Sequence, residues 1–355
     1  MADSEGDEGG GAPVRIAVVG AGLIGRRHTG AIRLARGAVL SAIVDPDPQA
    51  EAFAAPHGAT WFASLDEALG SGTFDAVILA TPNRLHADGA IAVLEAELPV
   101  LVEKPIASTV ADAERMVVVA ERGGVPFAVG HHRRYNPLIA AAKDRIDGGA
   151  LGRIVAAHAF AWMRKPDDYY DVAWRREPGA GPVLVNLIHD IDLLRHLAGP
   201  ISEVMAMTAS DARGHAVEDT AAATVRFASG ALGTLAVSDA TVSPWSWELT
   251  ARENPAYPPT DQSAMMLAGT RGSLSVPDLV WWNQGEGEAW WDPIHATRMP
   301  VAHGDPLVRQ VEQFAAVARG EAPPLVSGRD GLAALRVVEA IHRSADTGRP
   351  VRVPD

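Results

Sequence analysis

The chain has 355 residues, 47% of them hydrophobic, which exceeds one typical domain and makes two the natural division. Its formal net charge of −13 argues against nucleic acid or an anionic membrane as partner, because both are bound through clustered lysine and arginine. Zero cysteines exclude disulfides, thiolate catalysis and Cys-ligated metal and fit a cytoplasmic location, and no apolar run reaches the length of a membrane span, so a soluble protein is expected.

Residues 1–13 read MADSEGDEGGGAP, with neither the basic start nor the apolar core of a signal peptide, and are expected to form a disordered tail, of which Met1 to Gly11 should be dispensable. The apolar run 14–19 then feeds straight into Gly20-Ala21-Gly22-Leu23-Ile24-Gly25, the order of strand, glycine turn and helix start that a dinucleotide site needs. The first glycine allows the tight turn, the second lets the backbone approach a pyrophosphate, the third lets the helix pack on its strand, and free amides at the helix start meet the phosphate charge. A second apolar run, 38–45, ends in Asp45, twenty positions after Gly25. An acid there accepts both ribose hydroxyls and repels a 2′-phosphate, which reads as NAD, with NADP disfavoured.

Strand and helix signals keep alternating. Ser64-Leu65-Asp66-Glu67 has capping-box spacing and starts a short helix. Residues 74–80 read as a third buried strand, 84–97 as a helix, 99–103 as a fourth strand, 108–123 as a helix and 125–129 as a further strand. Continuous apolar strands between amphipathic helices imply a doubly wound parallel sheet, with ligands beyond the carboxyl ends of its strands. Past about residue 135 the pattern changes. One helix follows Asn136, another spans 182–197, strand-like runs occupy 203–210, 221–227, 231–239 and 273–276, and 329–345 is a final helix. The expected division is a nucleotide-binding domain over 14–135 and an α+β domain over 136–355 with a large, mostly antiparallel sheet.

Several residues carry chemistry. Glu103-Lys104-Pro105 closes the fourth predicted strand and puts Lys104 at the sheet edge where the nicotinamide end of a cofactor belongs; it is either a partner for a reacting hydroxyl or a solvated strand-end lysine. Thr81, Pro82, Asn83 and His86 follow the third strand, where small residues and an amide suit a flat ring, and Asn83 also suits a helix cap. In the helix 182–197, Leu184, Leu187, Ile188, Ile191 and Leu194 repeat at helical spacing, while Asn186, His189 and Asp190 stand on another face. His189 has the pKa range of a general base, though a surface histidine paired with an acid is the alternative. Gly130 to Pro137 carries two histidines and two arginines, in which arginines clamping a polar substrate or phosphate are favoured over a metal site. Trp245, Trp247, Trp281, Trp282, Trp290 and Trp291 crowd one stretch, suited to sugar stacking or to core and interface packing.

Taken together, the N-terminal GxGxxG, Ala80-Thr81-Pro82-Asn83 with His86, Glu103-Lys104-Pro105, Gly130 to Pro137, Trp174-Arg175 and the segment ending in His189-Asp190-Ile191-Asp192 resemble the Gfo/Idh/MocA oxidoreductases, in family order across most of the chain. The resemblance implies an open-sheet second domain that binds substrate and packs into homodimers or homotetramers, a helix that brings His189 to Lys104, and a cis Lys104–Pro105 bond. It implies catalysis by Lys104 and His189 and substrate contacts from Asn186, Arg134, Asp190 and Tyr135. Cofactor contacts fall to Gly20, Gly22, Leu23, Ile24, Gly25, Asp45, Thr81, Pro82, Asn83, His86, Glu103, Lys104, Trp174 and Arg175, with no metal. One position departs from the pattern: inositol-dehydrogenase-like members place an Asp four residues before this histidine, where this chain has Val185. The function implied is NAD-dependent interconversion of a secondary hydroxyl and a ketone on a sugar, cyclitol or related polyol. Alternatives are a non-catalytic NAD or sugar sensor with the same fold, and a dehydrogenase of aromatic diols or cyclic acids.

Overall fold

The computed structural model describes residues 11–285, 287 and 289–354; residues 1–10 of the expected tail lie outside the described residues. The chain divides into two compact units, Met1–His132 with Leu307–Gly331, and Arg133–Pro306 with Leu332–Asp355.

In the first unit, strands β1 (Val14–Val19), β2 (Ala38–Val44), β3 (Thr60–Phe62), β4 (Ala76–Leu79), β5 (Val100–Val102) and β6 (Phe127–Val129) form one six-stranded sheet in the order β3-β2-β1-β4-β5-β6. Every pairing is parallel. Helices α1 (Leu23–Leu34), α2 (Gln49–Ala54), α3 (Leu65–Leu69), α4 (His86–Glu95) and α5 (Val110–Gly123) are the crossovers. Strands β4, β5 and β6 are buried at every residue, as a sheet covered on both faces requires. Ser64 caps α3 where the spacing predicts a helix start, its Oγ accepting from the Glu67 amide at 3.2 Å. The strand order reverses between β1 and β4, and their carboxyl ends, Gly20 and Ala80, open the crevice in which such sheets bind ligands. β3 escaped the sequence reading because three residues carry too little pattern to register.

The second unit opens with α6 (Pro137–Asp147), capped by Asn136 Oδ1 accepting from the Leu138 amide. β7 (Ile154–Trp162) follows, then a π-helical turn (Val183–Leu187) running into α7 (Ile188–Ala198). The remaining elements of this stretch are β8 (Ile201–Ala209), β9 (Thr220–Phe227), β10 (Leu232–Ser238), α8 (Trp247–Thr250), β11 (Met265–Gly269), β12 (Ser273–Val276), β13 (Val280–Asn283) and β14 (His295–Arg298). The chain ends with α9 (Pro306–Ala318), α10 (Gly328–Thr347) and β15 (Val351–Arg352). Nine strands form a sheet in the order β14-β13-β12-β11-β7-β10-β9-β8-β15, antiparallel apart from the β7–β10 pair. α7 packs against β7, whose inward residues Ala157, Ala159 and Ala161 are small enough to let the helix approach. Those alanines also hid β7 from the sequence reading, because alanine is depleted in strands.

The expected contiguous boundary at 135 needs correction. The division falls at 132/133, and the chain later returns to the first unit, because Leu307, Val311, Phe314 and Ala315 of α9 are buried in one apolar cluster with Ile16, Val18, Ile32 and Leu40. Burial of that stripe outweighs sequence distance.

Candidate active site

Beyond β1 the three glycines do different work. Gly20 has φ +100°, and a Cβ there would stand 2.6 Å from Ala80 O; a Cβ at Gly25 would stand 1.7 Å from Gly20 O. Both positions are closed by backbone. Gly22 has nothing within 4 Å, so its missing side chain leaves open space in front of the turn. α1 begins at Leu23 with no side chain capping Gly22 and no acid in its first turn, which leaves amide dipoles to meet an anion. Leu23 and Ile24 are exposed beside it. Asp45 leaves β2 with Oδ2 accepting from the Ala21 amide at 2.6 Å and Oδ1 from the Asp47 amide at 2.9 Å, so its carboxylate is fixed against the glycine turn. An open glycine, unsatisfied helix amides and a fixed carboxylate at the next strand end fit a dinucleotide.

Beyond β4 and β5 two turns are tied together. Pro82 starts a short 3-10 turn (Asn83–Leu85), so Asn83 lies inside that turn and does not cap α4. His86, buried at the start of α4, has Nδ1 2.9 Å from Pro105 O and Nε2 2.9 Å from Thr81 O. Burial pushes its pKa down, against the pull of the two carbonyls. The Lys104–Pro105 peptide is cis. Glu103 is 8% exposed, with Oε1 2.7 Å from His28 Nε2 and Oε2 accepting from the Lys104 amide at 3.1 Å. Burial alone would raise the Glu103 pKa, but the hydrogen bond from His28 and the charges of His28, His132 and Lys104 bring it down to about 2. His28 was not singled out from sequence; its place three residues after Gly25 was the available signal.

In the second unit, the expected polar helix face is largely internal. Asn186 is half-buried in the π-helical turn, and His189, Asp190 and Asp192 in α7 are buried, His189 being 6% exposed. The π turn winds five residues where an α turn would not, so the face read from α-helical spacing is displaced there. The Val183 amide at its start donates to Glu218 Oε1 at 3.2 Å.

Arg134, expected to orient substrate, forks onto Asp192 with Nε 2.8 Å from Oδ2 and Nη2 2.6 Å from Oδ1, and both groups are buried. Arg133 donates to Glu248 at 2.7 Å and to Asp190 at 3.3 Å, over the ring of Trp247. Asp190 thus holds the weaker share of a divided cation. Burial, with the Glu248 charge added, pushes its carboxyl up to about 7 although Arg133 opposes the shift. Arg134 and Asp190 are thus ion-paired within the second unit, and Tyr135, next in the chain to Arg134, is buried.

A second polar network was not legible in the sequence, because its members lie up to 74 positions apart, from Lys165 to Asp239. Asp239 accepts from Tyr170 Oη at 2.5 Å and Arg213 Nε at 3.0 Å and lies 3.4 Å from Lys165 Nζ; burial pushes the Lys165 pKa down against the pull of Asp239. Nearby, Arg175 donates to Tyr169 O at 2.8 Å and stacks on that ring, while Trp174 is exposed. The tryptophans divide: Trp247 is buried, Trp245 lies edge-on to Trp162 at 5.9 Å, and Trp290 and Trp291 are exposed. Among the described residues no cluster of three or more His, Cys, Asp or Glu is arranged to hold a metal ion, and no helix is long and apolar enough to cross a membrane.

Comparison with known proteins shows the family. Residues 14–131 match the Gfo/Idh/MocA oxidoreductase family model with its NAD-binding Rossmann fold, and residues 139–275 match the Gfo/Idh/MocA C-terminal domain. The chain is 31% identical over 350 residues to an inositol 2-dehydrogenase of Rubrobacter xylanophilus, covering 96% of this chain and 93% of that one. It is 29% identical over 354 residues to a 1,5-anhydro-D-fructose reductase of Ensifer adhaerens, covering 96% and 98%. Among solved structures, the WlbA dehydrogenase from Bordetella pertussis in complex with NADH and UDP-GlcNAcA superposes with a TM-score of 0.79 at 29% identity, over 98% of this chain and 99% of that one.

Proposed function

Because the chain belongs to the Gfo/Idh/MocA family and is an NAD-binding oxidoreductase acting on CH–OH groups, we propose that its substrate is a sugar, cyclitol or related polyol whose secondary hydroxyl is interconverted with a ketone. The observation that carries this reading is Lys104, set at the carboxyl end of β5 on a turn gripped from both sides, beside a strand-end crevice built for a dinucleotide. Bound NAD supplies the hydride acceptor. Lys104 holds the hydroxyl oxygen by hydrogen bond and His189 takes its proton, with Asn186 orienting the substrate. Val185 removes the carboxylate usual at that position, so proton removal rests on the imidazole. A turnover screen with NAD and NADP against sugars, inositols and sugar acids tests the proposal; good NAD binding with no turnover on any hydroxyl or ketone moves the reading to a sensor.

Cofactor choice follows from Asp45. Its carboxylate, pinned by the Ala21 and Asp47 amides, repels a 2′-phosphate, so NAD is expected to bind more tightly than NADP and Asp45→Ser to narrow the gap. Titration of both cofactors checks this, and equal or tighter NADP binding by the wild type refutes it.

Association is the second consequence. One face of the nine-stranded sheet carries Met205, Leu232 and Met266 exposed around a hollow of about 690 Å³, with Met207 77% exposed on the same strand as Met205. An apolar face of that breadth is expected to be covered by a second copy, as homodimer or homotetramer. Light scattering at micromolar concentration should report an oligomer, and Met207→Glu with Leu232→Glu should shift it toward monomer; a monomeric wild type rules the idea out.

A further inference from the structure

Lys104 is flanked by two buried imidazoles that hydrogen-bond its neighbours in the chain. On one side, His28 of α1, 0% exposed, stands 2.7 Å from Glu103 Oε1, and the other carboxylate oxygen accepts from the Lys104 amide. Gly130 makes this possible, since a Cβ there would stand 2.9 Å from Glu103 Cδ. On the other side, His86 holds the Pro105 carbonyl to the Thr81 carbonyl's turn. A carboxylate buried this deeply stays ionised only when partners replace its water. The titratable groups whose charges act on it are His28, His132, Lys104 and His86.

We propose that His28 is a positioning residue for Lys104. By occupying Glu103 Oε1 it keeps the carboxylate turned inward, where Oε2 holds the Lys104 amide, and it shares with the Lys104 ammonium the task of balancing the carboxylate's charge. The inference rests on Lys104 as the group that meets substrate. Without His28, the Glu103 carboxylate keeps its charge by attracting Lys104, whose ammonium then releases its proton less readily.

The test reads Lys104 directly on the full chain, with no substrate or cofactor present. Lysine acetylation by deuterated acetic anhydride is followed at Lys104 by mass spectrometry from pH 7 to pH 10, with the partly exposed Lys143, outside this cluster, as internal reference. His28→Leu should lower the Lys104 labelling rate at pH 8 at least threefold. His28→Gln, which keeps an N–H donor, should recover most of it. A folded His28→Leu that labels Lys104 at the wild-type rate overturns the proposal. Should His28→Leu fail to fold by circular dichroism, His28→Asn, polar but too short to reach Glu103, decides in its place: slowed labelling supports the role and wild-type labelling overturns it. Because labelling needs no substrate, a failed turnover screen leaves this result standing and counts only against the proposed reaction. Where turnover is found, His28→Leu should lower kcat about tenfold while NAD affinity stays within about threefold, the split expected when a group acts on the reacting centre rather than on cofactor binding.

Discussion

Replacing His189 by alanine, or Lys104 by methionine, is expected to lower turnover by about a hundredfold or more in each case, the scale of a lost acid–base group, while NAD affinity changes much less. Neither residue lies in the glycine turn or at Asp45, where the dinucleotide fit is built, so their loss should fall on the chemical step. Methionine at 104 keeps the apolar reach of the lysine stem and removes its donors. Double substitution should cost less than the product of the single losses, because two groups serving one hydroxyl act as a unit. Single-turnover kinetics with a substrate from the screen measures this, and full activity in His189→Ala would remove His189 from the mechanism.

The glycine turn gives the second large effect, and it separates fold from binding. Gly25→Ala puts a Cβ 1.7 Å from the Gly20 carbonyl oxygen, closer than any real contact, so β1 and α1 must part. Loss of NAD binding together with a melting temperature lowered by several degrees is expected, since displaced backbone in a packed core costs about 1–3 kcal/mol or more. At Gly22 the same substitution meets nothing within 4 Å. Gly22→Ala should therefore keep the melting temperature and weaken NAD binding at least tenfold, because the methyl group occupies the space in which a pyrophosphate approaches backbone amides. Calorimetry and NAD titration on both variants check the pair. Wild-type affinity in Gly22→Ala would place the pyrophosphate elsewhere.

Much of the first unit was legible from the chain, because its signals are local. Apolar runs ending in glycine, Asp45 or the Glu103-Lys104-Pro105 turn mark the strand ends, and strand ends are where a doubly wound sheet puts its chemistry. The Ser64 cap and the helix that follows Asn136 were also readable, since each depends on residues within three positions. The sequence by itself determined the family, the nucleotide turn, the acid beside it and the lysine at the sheet edge.

Tertiary structure decided what those residues do to one another. Glu103 and His28 lie 75 positions apart, and Arg134 and Asp192 lie 58 apart; no periodicity relates them, and only burial in a common core makes each pair obligatory. The same holds for α9, which returns to the first unit because its apolar stripe completes a core that β1, β2 and α1 leave open. A buried charge must find its partner wherever the fold places it, and sequence spacing does not record that place.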